Sequence, residues 1–440
     1  MSGSPAGADA IAALPNGRYG WYVVAVLILA YTFSYIDRSI LSLMVGPIRA
    51  SLGISDVELS LLHGLAFALF YTILGIPIGR LVDQRRRTTI VAIGVGVWSV
   101  MTALCGLAAN FAQMFLARIG VGVGEAALSP AAYSMLSDWF EGKVLTRALS
   151  LYNSAIYIGA GLATMVGGVL IASVPTLQTS LFGTLEPWRV VFIVVGLPGL
   201  LIAALIVTLR EPVRRGVKSP DMPGIRDVVG YVWHRRAAYG WLIVGLSVAS
   251  TMWNGVGAWL PQHFIRNFGW TPAEVGARYG MALLLCGPAG ILFGGWLAGW
   301  LRDRGDVAAN IRIGVISACV ALPFGVAGPL MRDGWTSLFV VCGFLFAGTI
   351  PYGGAAAAFQ EMTPNRMRGQ VTAIYLFCLN LLGIGAGPTI VALFTEQVYG
   401  GDASVRYAMA TIVALTAPVS ALMLWRACRI HTASPMAPSQ

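Results

Sequence analysis

Long apolar runs, each about the length of a membrane-crossing helix, recur along the whole of this 440-residue chain. A helix that crosses the hydrocarbon core of a bilayer needs about 20 mostly apolar residues. The chain is 57% hydrophobic and 11% charged, whereas soluble globular domains carry about 25% charged residues. One soluble core cannot bury this much apolar surface, so we predict an integral membrane protein.

Twelve such runs are separated by turn signals, and they predict an all-α membrane protein with twelve transmembrane helices in two six-helix halves. An outer-membrane barrel would instead show alternating segments of about 10 residues, and the sequence contains none. The predicted spans are Trp21–Ile48, Leu59–Ile78, Thr88–Ala108, Gln113–Leu136, Leu145–Ser173, Trp188–Leu209, Tyr239–Ile265, Glu274–Leu301, Ala308–Met331, Thr336–Gln360, Arg368–Phe394 and Val405–Arg426.

The basic residues are distributed unevenly between the loops. Most of the 29 lysines and arginines lie in the loops on one side, among them the cluster Arg80–Arg87 and the stretch Arg210–Arg236. Because positively charged loops stay in the cytoplasm, we predict that both termini are cytoplasmic and that the protein lies in a bacterial inner membrane. The net charge of +10 therefore reflects topology and does not indicate nucleic-acid binding.

A polar stretch divides the chain into two halves. We predict an N-terminal six-helix half over 1–209, a cytoplasmic linker over 210–238 and a C-terminal six-helix half over 239–440. Within the linker, apolar residues recur at helical spacing, namely Ile225, Val228, Val229, Val232 and Trp233. This pattern predicts an amphipathic helix that lies on the lipid headgroups with the arginines around it. The alternative is a solvated linker.

The two halves repeat each other in sequence. Four residues of the first half, Gly75, Gly79, Leu81 and Asp83, recur in the same order in the second as Gly295, Gly299, Leu301 and Asp303. Such a parallel repeat is typical of secondary transporters, which hold their substrate between the halves near the middle of the membrane.

Several other classes of function lack their characteristic residues. The six cysteines lie singly within apolar runs and the four histidines are scattered, so we expect neither a disulfide scaffold nor a metal site. The sequence has no Gly-x4-Gly-Lys-Ser/Thr phosphate loop, which argues against ATP as the energy source. We find no nucleophile–base pair that indicates an enzyme, and we expect no cofactor.

Particular segments resemble a known family. Gly79-Arg-Leu-Val-Asp83-Gln-Arg-Arg-Arg87 resembles the cytoplasmic loop motif of the major facilitator superfamily, and Gly299-Trp-Leu-Arg-Asp303-Arg304-Gly305 resembles it a second time. Tyr35-Ile-Asp37-Arg38 and Arg118-Ile-Gly-Val-Gly-Val-Gly124-Glu125 look like the Spinster branch of that superfamily. The resemblance implies a transporter of twelve helices. The branch further implies proton-linked movement of lipids such as lysophospholipids and sphingoid phosphates.

Four charged residues lie inside the predicted spans: Asp37, Arg38, Arg118 and Glu125. Each costs several kcal/mol if it faces lipid, so each must face a cavity or a partner. Asp37 and Arg118 lie at similar depths, and we predict that Asp37, paired with Arg118, carries the proton, with Glu125 as the second candidate. Arg38 and Arg118 are candidate contacts for an anionic substrate. For Arg38 the alternatives are an ion pair with Glu125 and a role in holding the interface. The alternative is a structural ion-pair cluster that locks spans one and four.

The second half has no ionisable residue at mid-span and offers polar and aromatic groups instead. Because polar groups are costly when they face lipid, we predict that these residues line a substrate cavity. The alternatives are hydrogen bonding between helices for the asparagines and packing for the tryptophan. The candidate substrate-binding residues here are Trp253, Asn254, Tyr352 and Asn380.

Charged residues also recur in corresponding cytoplasmic loops of both halves. We predict that they form latches between helices that hold the cytoplasmic side shut when the cavity opens outward. The alternative is solvated loop charge that only maintains topology. These residues are Asp83, Arg87, Asp138, Arg147, Asp303, Arg304, Glu361 and Arg368.

These observations predict a proton-coupled secondary active transporter that works by alternating access on a lipid-like amphiphile of the lysolipid or sphingoid type. One alternative is proton-coupled transport of a drug or a small organic anion. From another class, the alternative is a membrane sensor or receptor built on a transporter fold. The expected partners are an amphiphilic or anionic substrate, protons and membrane lipids, but no nucleic acid, and we expect a monomer.

Overall fold

The computed structural model describes residues 17–179, 183–214, 224–364 and 367–433. The first half contains six helical spans, of which four are divided into shorter pieces. Their helices are Arg18–Ser39, Ile40–Leu43 and Val45–Leu52 (span one), Asp56–His63 and Leu65–Gln84 (span two), Arg87–Cys105 (span three), Phe111–Glu125 and Leu128–Trp139 (span four), Gly142–Ser173 (span five), and Pro187–Gly196 and Pro198–Val207 (span six).

The second half follows a linker helix, Ile225–His234, and again contains six spans. Their helices are Arg236–Phe268 (span seven), Pro272–Asp303 (span eight), Ala309–Leu330 (span nine), Gly334–Thr349, Ile350–Gly353 and Ala355–Met362 (span ten), Arg368–Leu379, Asn380–Ala386, Gly387–Leu393 and Phe394–Tyr399 (span eleven), and, after a short turn at Asp402–Ser404, Val405–Ala433 (span twelve). The predicted fold class, two six-helix halves, is confirmed.

Within the described chain, 11 helical stretches are long and apolar enough to cross a membrane. Span seven is not among them, although it has 33 residues. Its apolar run is interrupted by polar residues, among them Asn254, Gln262 and His263. These side chains are half-buried or buried, so the interior of the bundle, and not lipid, surrounds them.

Both described chain ends and the linker helix lie at one end of the bundle, which we call the terminal end. The opposite end, which we call the distal end, carries a strand pair that the sequence did not predict. There, Leu177–Thr179 and Gly183–Leu185 form a two-stranded antiparallel hairpin between spans five and six. The predicted all-α architecture therefore holds for the spans but not for this loop.

The hydrophobic cores show how the halves are joined. One core, at the distal end, contains residues of both halves, for example Ile40 and Leu43 from the first and Trp259 and Phe264 from the second. Towards the terminal end the buried residues separate into a core of the first half and a core of the second. The halves are thus packed tightly at the distal end and diverge towards the terminal end.

Glycines make the close contact between the halves possible. Spans five and eight approach so closely that a side chain at Gly276 would lie 2.6 Å from the backbone oxygen of Thr164. Further along span eight, Gly295 and Gly299 have no heavy atom within 4 Å of such a side chain. Because small residues allow helix backbones to touch, this pair of helices packs closely at the distal end and separates towards the terminal end.

Candidate functional site

A cavity of about 310 Å³ lies between the two halves. Its walls come from spans one, two, five, seven, eight, ten and eleven. Five of the six predicted substrate-binding residues line it, namely Arg38, Trp253, Asn254, Tyr352 and Asn380, whereas Arg118 does not. At its terminal-end side the lining is accessible, since Tyr352 is 48% exposed and Leu376 is 38% exposed. Among the described residues that line the cavity, Arg38 is the one arginine or lysine, and no Asp or Glu lines it.

Aromatic rings surround the guanidinium of Arg38. Its central carbon lies 4.2 Å from the ring centre of Phe67, 4.9 Å from that of Tyr35 and 5.2 Å from that of Tyr71. A cation over an aromatic face is attracted by the negative face of the ring. These rings therefore hold the positive charge at the cavity wall without neutralising it.

Glu125 is the carboxylate that neutralises Arg38. The Nε of Arg38 donates to Oε2 of Glu125 at 2.6 Å, its Nη2 forms an ion pair with the same oxygen, and the Ser34 hydroxyl also donates to Oε2 at 2.6 Å. The other carboxylate oxygen, Oε1, is buried and has no hydrogen-bond partner. Span four breaks directly after Glu125, as helices at transporter binding sites often do.

Asp37 has different surroundings from the neighbouring Arg38. Its Oδ2 accepts a hydrogen bond from Thr102 of span three at 3.0 Å, and its Oδ1 is buried without a partner. Asp37 and Arg38 follow each other on one helix and therefore point about 100° apart. The predicted ion pair between Asp37 and Arg118 does not form, because the Asp37 side chain is turned to span three. Arg118 donates instead to the backbone oxygens of Asp37, at 3.3 Å, and Leu62, at 3.2 Å.

Span two occupies the space beside Gly122. Arg118, Gly122 and Glu125 share one face of their helix, and a side chain at Gly122 would lie 2.6 Å from the backbone oxygen of Phe67. The glycine therefore lets spans two and four touch, and Arg118, which is 1% exposed, is sealed away from the cavity.

The second half presents a rigid wall to the cavity. The indole of Trp253 stacks on Phe344, with ring centres 5.4 Å apart, and lies directly over Gly348, where any side chain would collide with it. The amide of Asn254 is held as well, because its Nδ2 donates to the Ser250 backbone oxygen at 2.9 Å and to the Ser250 hydroxyl at 3.1 Å. This orientation leaves Oδ1 of Asn254 as the atom that a ligand meets.

An ion-pair network closes the distal end of the cavity, and sequence reasoning missed it. Asp56 in the first half is fully buried and accepts two hydrogen bonds from Arg266 in the second half, at 2.6 and 2.8 Å. Arg49 lies 3.1 Å from Asp56 and also binds Asp402 at 2.9 Å. The backbone N–H of Asp56 donates to Glu396. The sequence signal that could have revealed this network is the presence of oppositely charged residues in the distal loops of both halves.

Among the described residues, no group of three or more His, Cys, Asp or Glu side chains is placed to hold a metal ion.

The pattern of the whole chain matches a known protein family. The family model described as "Major Facilitator Superfamily" matches residues 27–388. The chain belongs to the Major Facilitator Superfamily. It is 27% identical to an MFS-type efflux pump of Mycolicibacterium smegmatis over 93% of each chain. It is 28% identical to a probable L-galactonate transporter of Escherichia coli, over 90% of this chain and 80% of that one.

Solved structures agree with this assignment of the fold. A bacterial homolog of the human lysosomal transporter Spinster, in an inward-facing and unoccupied conformation, superposes with a TM-score of 0.75. It is 24% identical and the match covers 94% of this chain and 96% of the other. The predicted membership of the superfamily, with resemblance to the Spinster branch, is confirmed.

The superfamily loop motif of the first half leads into a buried charge cluster at the terminal end. Arg87, which is 1% exposed, forms an ion pair with Asp138, donates to the Ser134 hydroxyl at 2.8 Å and binds Glu211 at 2.7 Å. Glu211 was not among the predicted residues, because it follows span six and no pattern links it to Arg87. These contacts join spans three, four and six of the same half.

The remaining predicted latch residues have varied surroundings. Glu361 binds Arg302 at 2.6 Å and Asn310 at 3.0 Å, both within the second half. The other four are Arg304, which lies 3.6 Å from the ring centre of Trp300, Arg368, which donates to the Thr363 backbone oxygen, and Arg147 and Asp303, which are exposed. The side chain of Asp83 lies outside the described part of the structure.

The Glu211 contact should make stability depend on pH. Burial raises the pKa of Glu211, but its hydrogen bonds to Arg87 and to the Thr88 amide outweigh this and hold the pKa below its ordinary value. The stabilisation is therefore present above the ordinary pKa and is lost as the pH falls through the lowered one. Glu211→Gln should cost about 1–3 kcal/mol at pH 7. In thermal unfolding in detergent, the difference in unfolding temperature between Glu211→Gln and wild type should shrink at acid pH. A difference that stays constant with pH would contradict this account.

Proposed function

We propose that this protein is a proton-coupled transporter that carries an amphiphilic organic anion across the membrane by alternating access. The observation that carries the proposal is the Arg38–Glu125 pair, in which a lone cavity-lining arginine shares its charge with a buried carboxylate. An anion needs a cation to bind, and the aromatic walls suit an apolar body better than a sugar, which needs many hydrogen-bond partners.

The coupling step follows from competition for Arg38. When the anionic group of a substrate takes the guanidinium, Glu125 loses its cation in a dry surrounding, and a carboxylate in that position takes up a proton. Release of the substrate lets Arg38 return, and the proton leaves. No covalent chemistry is needed. The contacts support Glu125 as the proton carrier over Asp37, because Asp37 faces Thr102 and does not bind Arg38.

The conformation fits one stage of such a cycle. The ion pairs from Asp56 to Arg266 and from Arg49 to Asp402 join the halves at the distal end, while the terminal-end side of the cavity is lined by exposed side chains. With the positively charged loops in the cytoplasm, the terminal end faces inward and the termini are cytoplasmic. In this proposal the structure represents an inward-open stage in a bacterial inner membrane.

The substrate class combines one anionic group with an apolar body, and both a lysolipid and a small organic acid offer this chemistry. A relative named as a probable L-galactonate transporter favours the small acid. The test is proton uptake into proteoliposomes after addition of a lysophosphatidate, 3-phenyllactate or a neutral hexose. We expect protons to move with the anions only. Proton movement with the hexose alone, or binding of the anions without any transport, would reject the proposal.

Asn254 should favour anions that also carry a hydroxyl group. Because Nδ2 is held by Ser250, Oδ1 can only accept, and a substrate hydroxyl can donate to it. 3-Phenyllactate should therefore bind about three- to ten-fold more tightly than 3-phenylpropanoate, which lacks the hydroxyl, since one hydrogen bond contributes about 0.5–1.5 kcal/mol. Asn254→Leu should abolish this preference in a competition assay and leave 3-phenylpropanoate binding unchanged. Equal binding of the two acids to wild type would contradict the assigned orientation.

A further inference from the structure

The linker helix has a second face that the rest of the protein leaves uncovered. One face packs on the second half, where Val228 is fully buried and the Tyr231 hydroxyl donates to the Met362 backbone oxygen at 3.2 Å. The other face leaves Trp233 66% exposed and Val229 49% exposed. A tryptophan exposed where helices leave the membrane is typical of the lipid–water interface.

Three arginines at the terminal ends of spans seven and twelve lie against tryptophans. Arg236 lies 5.8 Å from the ring centre of Trp233 and donates to its backbone oxygen. Arg426 of span twelve lies 4.9 Å from the ring of Trp241 in span seven, and Arg429 lies 4.2 Å from that of Trp425. Arg236, Arg426 and Arg429 are exposed, and among the described residues none of the three has a carboxylate within ion-pair distance.

Nearby acidic side chains are already engaged elsewhere. Asp227, the acid of the linker helix, accepts from the backbone N–H of Gly224 and so caps its own helix. Asp306 forms an ion pair with Arg312, and Glu361 binds Arg302. The surface formed by Trp233, Arg236, Arg426 and Arg429 therefore keeps a local positive charge beside exposed apolar rings.

We propose that this surface binds the headgroups of anionic phospholipids in the adjoining leaflet, with the tryptophans in the interface and the guanidiniums on the phosphates. Arginine matches phosphate in geometry and charge, and basic residues next to a transmembrane helix attract anionic lipid. The surface joins the linker helix to the ends of spans seven and twelve. The lipid would hold these three elements together at the membrane surface.

The test measures the affinity of the full-length protein in neutral detergent for phosphatidylglycerol and phosphatidylcholine. Wild type should prefer phosphatidylglycerol, and Arg236→Gln/Arg426→Gln should weaken its binding about 25-fold, since each basic residue contributes about five-fold. The control Arg332→Gln/Arg406→Gln removes the same charge at the distal end and should leave the affinity unchanged. Binding should also weaken as salt is raised.

Three results would overturn the proposal. They are equal affinity of wild type for the two lipids, undiminished phosphatidylglycerol binding by the double variant, and displacement of the lipid by soluble glycerol phosphate at equal concentration. The last result would indicate a site for free phosphate compounds in place of a lipid surface. If the double variant does not fold, Arg429→Gln alone should weaken binding about five-fold.

Discussion

Glu125→Gln should abolish proton-driven accumulation of substrate while exchange of substrate across the membrane continues. A gradient equivalent to 100 mV supplies about 2.3 kcal/mol per proton, which corresponds to about 50-fold accumulation. Glutamine represents the protonated carboxyl permanently, so Arg38 stays available to the anion but no proton is released. The accumulation ratio in proteoliposomes should fall from about 50 to about 1, with counterflow retained.

Asp37→Asn is the matched control for this experiment. It neutralises the other buried acid of the same cluster, but Asp37 binds Thr102 and not Arg38. We therefore expect Asp37→Asn to keep gradient-driven accumulation. The reverse ranking, with accumulation lost in Asp37→Asn and kept in Glu125→Gln, would move the proton site to Asp37, as the sequence alone suggested.

Asp56→Asn should open the distal end of the protein. Asp56 is fully buried between Arg266 and Arg49. Its neutralisation leaves the Arg266 guanidinium without its carboxylate and close to Arg49, which keeps only the exposed Asp402 as a counter-ion. Breaking a buried ion pair costs about 3–5 kcal/mol. Because this network joins the two halves at the distal end, we expect the population to shift by about 100-fold or more towards the distally open state. Distances between spin labels across the distal end should increase.

Asp402→Asn is the control in the same network. Asp402 also binds Arg49, but its side chain is 60% exposed, and exposed pairs contribute about 0–1 kcal/mol. The distance distribution in Asp402→Asn should therefore stay close to that of wild type. An Asp56→Asn variant with unchanged distances and normal expression would show that apolar packing, and not this ion pair, closes the distal end.

The sequence alone was sufficient for the membrane class, the two six-helix halves and the family. These properties depend on local signals, because a span needs only a run of apolar residues and a repeated loop motif can be read directly. It also identified Arg38 and Glu125, since a charge inside an apolar run is costly unless it has a partner. Chain order cannot reveal which partner that is.

Only the tertiary structure decided how the charges are paired. Arg38 binds Glu125 across 87 residues of sequence, and Arg266 binds Asp56 across 210. The side chains of Asp37 and Arg118, which similar depths had suggested as a pair, do not form an ion pair, because the Asp37 carboxylate is turned to Thr102 of span three and Arg118 binds the Asp37 backbone oxygen. The depth of a residue along a helix can be estimated from its number. Which helix its side chain meets depends also on how the neighbouring helices pack around it, and the sequence does not show this. For that reason the spans could be predicted from the sequence, whereas the pairing of the buried charges and the distal network had to be found in the folded protein.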